Sequence, residues 1–209
     1  MKKILIVDDH HIVRKGLKHT LTDEFGEVEF GEAVNGIEAL QKIREKKWDI
    51  IILDINMPGR NGLEVLRQVK DEKICASILV LSMHPEEQVA IRALKLGASG
   101  YLAKDSADTE LISAIRQIGS GKKYITPSLA QQLAAHIENP LDKAPHELLS
   151  DREYATLLFF AKGKTVSQIA RELSLAATTI SSFRVRILHK MRMKTNAELV
   201  NYAIRNNLV

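Results

Sequence analysis

Ile50-Ile51-Ile52-Leu53-Asp54 decides the fold: four branched apolar residues end abruptly on a carboxylate. A run this short and this apolar reads as a strand buried on both faces. The same pattern recurs at Lys3–Val7 before Asp8-Asp9, at Val28–Ala33, at Ile78–Leu81 before Ser82, and at Gly100–Leu102 just ahead of Lys104. Between these runs lie helical patterns at about 11–22, 37–46, 62–71, 86–95 and 107–119. Five strand-then-helix units predict a doubly wound α/β domain with a five-stranded parallel sheet, because parallel neighbours need crossover connections.

The chain has 209 residues, 45% of them hydrophobic and 27% charged, which is enough for two small domains and typical of a soluble protein. No apolar run approaches the roughly 20 residues of a membrane helix. The apolar stretch after Met1-Lys2-Lys3 ends within four residues at Asp8, too short for a signal-peptide core, so a cytoplasmic location is expected. Cys75 is the only cysteine, which excludes an intramolecular disulfide; it is expected to be a partly buried small residue.

Charge is divided unevenly. Residues 1–122 carry 18 basic against 19 acidic side chains, whereas 123–209 carry 12 against 7. A basic C-terminal part suits a polyanionic partner and equally suits a solvated basic surface. Asn139-Pro140 and Ala144-Pro145 punctuate a polar stretch, and Thr126-Pro127 reads as a cap with proline at the first helical position. The expected division is a first domain at 1–122, a linker at 123–148 with a helix over 127–137, and a second domain at 149–209. Ser150-x-x-Glu153 and Thr165-x-x-Gln168 are capping boxes, and four helices are expected at about 151–162, 166–173, 177–192 and 196–206.

In an open parallel sheet, ligands bind beyond the carboxyl ends of the strands. Asp8, Asp9, Asp54, Ser82 and Lys104 all fall there. Converging carboxylates repel one another and attract a divalent cation, and oxygen ligands with neither histidine nor cysteine favour magnesium over zinc. Asp54, ending the central strand, is the candidate nucleophile; Lys104 and Ser82 are donors suited to phosphoryl oxygens. His10 and His11 adjoin the acidic pair, but no carboxylate or histidine repeats at metal-ligand spacing around them, and they are expected in the first turn of a helix.

Ile4 to His10, Ile52 to Gly59 with Asn61-Gly62, Leu81-Ser82, and Gly97 to Asp105 together resemble the receiver domain of bacterial two-component response regulators. The resemblance implies a flavodoxin-like fold with Asp54 as phosphoacceptor, magnesium held by Asp8, Asp9, Asp54 and the main-chain carbonyl of Asn56, and Ser82 and Lys104 on the phosphoryl group. It also implies Tyr101 as a switch residue, though a plain packing role fits that tyrosine as well. Haloacid-dehalogenase-like phosphatases also use a strand-end aspartate, but they have a second aspartate two residues later, where this chain has Asn56.

In the second domain the segment Ile169 to Ile180 has the spacing of a helix-turn-helix. At 100° per residue, Ile180, Phe183, Ile187 and Met191 form one stripe, and Thr178, Ser182, Val185 and His189 gather opposite, with Ser181 and Arg186 beside them. Short polar side chains ringed by Arg184, Arg186, Lys190, Arg192 and Lys194 suit a major groove. Leu149 to Glu153, Ala161 to Lys164, Ile169-Ala170, Thr179-Ile180, Lys190-Met191 and Ala203 to Leu208 resemble the LuxR-type domain of the NarL/FixJ group. That resemblance implies Ser181, Ser182 and Val185 near bases and Lys164, Thr179, Arg186 and Lys190 near phosphates, with Thr178 on the same face. It implies a sensor histidine kinase, double-stranded DNA and a phosphorylation-promoted homodimer as partners. The last helix, through Leu199, Val200, Ala203 and Ile204, resembles a dimerisation element; burial against its own domain is the equal alternative.

Overall fold

The computed structural model describes residues 2–83, 86–138, 144–206 and 208–209, the side chains of 86–88, 108 and 135–138 excepted. The expected linker residues 139–143 lie outside the described residues. The chain divides into two compact units, Met1–Gln131 and Gln132–Val209.

In the first unit, strands β1 (Lys2–Val7), β2 (Val28–Ala33), β3 (Ile50–Asp54), β4 (Ile78–Ser82) and β5 (Gly100–Ala103) alternate with helices α1 (His11–Phe25), α2 (Gly36–Glu45), α3 (Gly62–Asp71), α4 (Glu86–Lys95) and α5 (Ala107–Gly119). All pairs are parallel, and the order is β2-β1-β3-β4-β5. The chain starts in β1, moves out to β2 and returns past β1 to β3, so the direction of winding reverses between β1 and β3. A crevice opens at such a reversal, beyond the strand ends.

Every residue of β3 and β4 is buried, as expected for central strands covered by helices on both faces. One core face joins Ile4, Ile6, Ile50, Ile52, Leu79 and Leu81 to Leu17 and Leu21 of α1 and Leu111 and Ile115 of α5. β2 is an edge strand and only half-buried. Trp48 lies against its Gly31, where a Cβ would come 2.3 Å from the indole ring.

The start of the expected linker belongs to the first unit. Tyr124 bridges Gly100 of the other edge strand, its hydroxyl donates to Glu110 at 2.5 Å, and Leu129 is fully buried. Helix α6 spans Pro127–Glu138. A 3-10 turn follows at Pro145–Leu148, and Nδ1 of its His146 lies 2.8 Å from the Tyr202 hydroxyl. Aromatic and hydrogen-bonding side chains thus draw both ends of that stretch onto folded structure. Cys75 is exposed rather than partly buried, because it follows α3 in the loop below β4.

The second unit holds α7 (Asp151–Ala161), α8 (Val166–Glu172), α9 (Ala177–Lys190) and α10 (Asn196–Arg205). Both capping boxes form, Ser150 with Glu153 and Thr165 with Gln168. Ile180, Phe183, Ile187 and Met191 are buried, so the apolar stripe of α9 packs against the other helices. Among the described residues no helix is long and apolar enough to cross a membrane.

Candidate functional site

Register brings the predicted groups to one edge of the sheet. Val7 pairs with Leu53 and Asp54 with Leu81, so Asp8, Asp54 and Ser82 follow one another across three neighbouring strand ends. Ser82 pairs with Ala103, which puts Lys104 immediately beyond. Asp8 and Asp54 are each 2% exposed and Ser82 is fully buried. Nζ of Lys104 lies 2.7 Å from Oδ2 of Asp8 and 3.2 Å from Oδ2 of Asp54.

Burial pushes the Asp54 carboxyl up to about 6; Lys104 opposes the rise and the charge of Asp8 adds to it. The N–H of Asn56 donates to the same carboxylate and steadies its charged form. For Lys104, burial works against the ammonium, but Asp54 and Asp8 outweigh it and hold the group above the usual lysine range. The lysine is therefore a fixed positive charge at the mouth of a pocket of carboxylates.

Oδ1 of Asp54 and Oδ1 of Asp9 are buried and make no hydrogen bond. Ligand atoms of Asp8, Asp9, His10 and Asp54 all lie within 4.8 Å of one another. Buried carboxylate oxygens left open beside like charges are costly unless a cation joins them. The carboxylates of Asp8, Asp9 and Asp54 fit magnesium, which prefers oxygen ligands and binds through few carboxylates.

Two local devices shape this edge. Gly62 opens α3 so close to β3 that a Cβ there would stand 2.3 Å from the main-chain oxygen of Asp54. Asn61 before it caps the helix in a capping box with Glu64, anchoring the loop that carries Asn56. Arg14 of α1 donates to the main-chain oxygen of Asp8 at 2.8 Å and to Glu32 at 2.9 Å, tying the site to the edge strand. Sequence reading did not single out Arg14, since one arginine in an amphipathic helix gives no sign of its partner. His10, expected only as a helix start, has Nδ1 2.9 Å from Oδ1 of Asp9 and 3.2 Å from Oδ1 of Asp8; its direct adjacency to two acidic residues was the available signal. Tyr101 is fully buried in β5, paired with Val80.

In the second unit, Thr178, Ser181, Ser182, Val185 and Arg186 are exposed on one face of α9, and Thr179 is half-buried. Val185 is 63% exposed, a large apolar side chain among polar ones. Three of the cations expected on this surface are held within the domain. Both carboxylate oxygens of Glu172 lie within 2.6 Å of Nζ of Lys164. Lys190 pairs with buried Glu153, and Arg184 donates to Asn196 of α10 at 2.6 Å. On α10, Leu199 and Ala203 are buried and Ile204 is exposed, so the helix has one apolar edge inside the domain and one outside.

Comparison with known proteins accounts for both units. Residues 4–116 match the response regulator receiver domain family, and residues 147–203 match the luxR family of bacterial regulatory proteins. The response regulator UvrY of Escherichia coli (strain K12) is 36% identical over 209 residues, covering 100% of this chain and 96% of UvrY. The response regulator GacA of Pseudomonas syringae pv. syringae is 35% identical, covering 100% and 98%. Among solved structures, RcsB of Salmonella enterica serovar Typhimurium, bound to the rprA promoter in the presence of the phosphomimetic BeF3-, is 26% identical with a TM-score of 0.64, covering 97% of this chain and 98% of RcsB. The pocket of carboxylates beside a lysine and the helix-turn-helix together have one home, and this chain belongs to the NarL/FixJ group of two-component response regulators, with a receiver domain followed by a LuxR-type DNA-binding domain.

Proposed function

We propose that Asp54 accepts a phosphoryl group from the phosphohistidine of a sensor histidine kinase, and that this event controls binding of double-stranded DNA by α8 and α9 in the cytoplasm. One observation carries the reading: Asp54 is buried at a strand end with one carboxylate oxygen beside Lys104 and the other unpartnered. Asp8, Asp9, Asp54 and the carbonyl of Asn56 are the residues that would hold magnesium. When bound, the ion offsets the negative charge of the carboxylates and of the incoming phosphoryl oxygens.

An Asp54 oxygen forms the new bond to phosphorus as the phosphorus–nitrogen bond of the donor breaks, and the imidazole departs with that electron pair. Lys104 moves from carboxylate oxygens to phosphoryl oxygens, a displacement its flexible stem allows. The Ser82 hydroxyl donates to the same group. These two pulls act on the ends of β4 and β5, and Tyr101, packed in β5, turns into the space they vacate.

On the DNA side, Ser181, Ser182 and Val185 meet base edges, and Thr178, Thr179, Lys164, Arg186 and Lys190 border the phosphates. Ala176, the residue before α9, offers no side-chain cap, which leaves first-turn N–H groups for a phosphate. Phosphorylation promotes a homodimer, and the exposed edge of α10 at Ile204 is available for it.

Incubation with an acyl phosphate and magnesium is expected to add one phosphoryl mass to the wild type and none to Asp54→Asn. Equal labelling of both overturns the site. DNA selected from genomic fragments by the phosphorylated wild type, and not by Asp54→Asn, tests the coupling.

A further inference from the structure

His10 sits in the acidic cluster in a way that capping α1 does not explain. It is the residue before α1, yet its side chain makes no capping bond. Its main-chain N–H donates to Oδ1 of Asp8 at 2.8 Å, which fixes the root of the side chain at the site. The ring then brings Nδ1 to 3.2 Å from Oδ1 of Asp8 and 2.9 Å from Oδ1 of Asp9. One ring nitrogen carries at most one hydrogen, and the Asp9 oxygen makes no hydrogen bond despite that approach. If the one hydrogen of Nδ1 goes to Asp8, none is left for Asp9, and a cation shared by the three groups accounts for both approaches.

The spacing is that of neighbouring ligands on one ion. With metal–ligand bonds of about 2.1 Å, two ligands at right angles stand about 3 Å apart and two opposite ligands about 4.2 Å. The contacts of Nδ1 with the Asp9 and Asp8 oxygens are of the first kind, and the 4.8 Å span of the four-residue set leaves room for the second. The side chain of His10 is 66% exposed, so the ion and its remaining waters have open access.

We infer that His10 is a metal ligand, and that the receiver site takes a divalent first-row transition ion through Nδ1 of His10 together with the carboxylates of Asp8, Asp9 and Asp54. The inference rests on the reading of this cluster as the magnesium site. It adds a nitrogen donor that magnesium scarcely uses and transition ions bind well, so metal choice at this site depends on His10.

Manganese is the probe, added to the full-length protein and followed by pulsed electron paramagnetic resonance. The expected result is nitrogen coupling from a directly bound imidazole in the wild type, on manganese that excess magnesium displaces. His10→Ala, which removes no capping bond, is expected to abolish the coupling and weaken manganese binding roughly tenfold. Magnesium binding should fall by less than manganese binding, since the oxygen ligands remain. Magnesium-displaceable manganese without nitrogen coupling, or coupling that survives His10→Ala, overturns the inference and leaves the magnesium reading standing. Absence of any magnesium-displaceable manganese in the wild type overturns the magnesium reading itself, and the inference with it.

Discussion

Nζ of Lys190, in the last turn of α9, stands 2.6 Å from Oε2 of Glu153, in the first turn of α7. Glu153 is 3% exposed and also accepts the N–H of Ser150 at 2.8 Å, so one carboxylate serves the start of α7 and the end of the reading helix. Lys190 is consequently less available to DNA phosphate than its place on α9 suggests.

Salt dependence separates the two cations. Among the described residues Arg186 has no ion pair, so Arg186→Ala is expected to lower the slope of log affinity against log salt by about 1. Lys190→Ala should lower it by less, because Glu153 already neutralises that charge. Filter-binding or fluorescence titrations across salt concentrations measure both slopes; equal losses would refute the distinction.

Glu153→Ala is expected to destabilise the C-terminal unit by about 1–3 kcal/mol through the lost cap and the unpaired lysine. Glu153→Gln should recover part of this, since a glutamine at the same position can still cap Ser150. Burial alone would raise the Glu153 carboxyl, but Lys190 and Ser150 outweigh it and hold it below the usual glutamate value. Its contribution is therefore present above 4.5 and lost as pH falls through the lowered folded value. Urea unfolding of wild type and Glu153→Gln should converge at acid pH.

The sign is opposite at Asp54. Its folded pKa of about 6 lies above the ordinary 3.8, so the folded state holds the proton more tightly. Receiver stability should fall as pH rises from about 4 to about 6, with the cost fully present above that window. In a chelator at pH 7.5, Asp54→Asn should be more stable than the wild type by up to about 3 kcal/mol, an advantage that vanishes near pH 4. Added magnesium should stabilise the wild type more than the variant.

Lys104→Ala removes a cation joined to both Asp8 and Asp54. Labelling by an acyl phosphate is expected to slow about a hundredfold, the scale for losing a donor to developing phosphoryl charge. The Asp54 carboxyl should titrate higher still, observable by carbon NMR in chelator. Unchanged labelling would remove Lys104 from the site.

The elements were largely legible because the buried runs of β3 and β4 and the 3.6-residue stripe of α9 are local patterns, each set by what a covered strand or an amphipathic helix must bury. The linker was not legible at its ends. Tyr124 and His146 stand in polar stretches whose composition says loop, while their partners are Gly100, Glu110 and Tyr202. Cys75 was misplaced for a related reason: residue type alone favours burial, and only its loop position exposes it.

From its order of residues alone, this chain determined two domains, a parallel sheet, and a set of carboxylates, hydroxyl and lysine at strand ends, because strand direction puts every β-to-α junction on one edge. Tertiary structure decided the pairings. It gave Lys104 to Asp8 as well as Asp54, put Nδ1 of His10 beside Asp9, and bound Lys190 to Glu153 and Lys164 to Glu172. Such choices depend on distances between side chains far apart in sequence and on how far burial strengthens each charge, and neither is written in a local pattern.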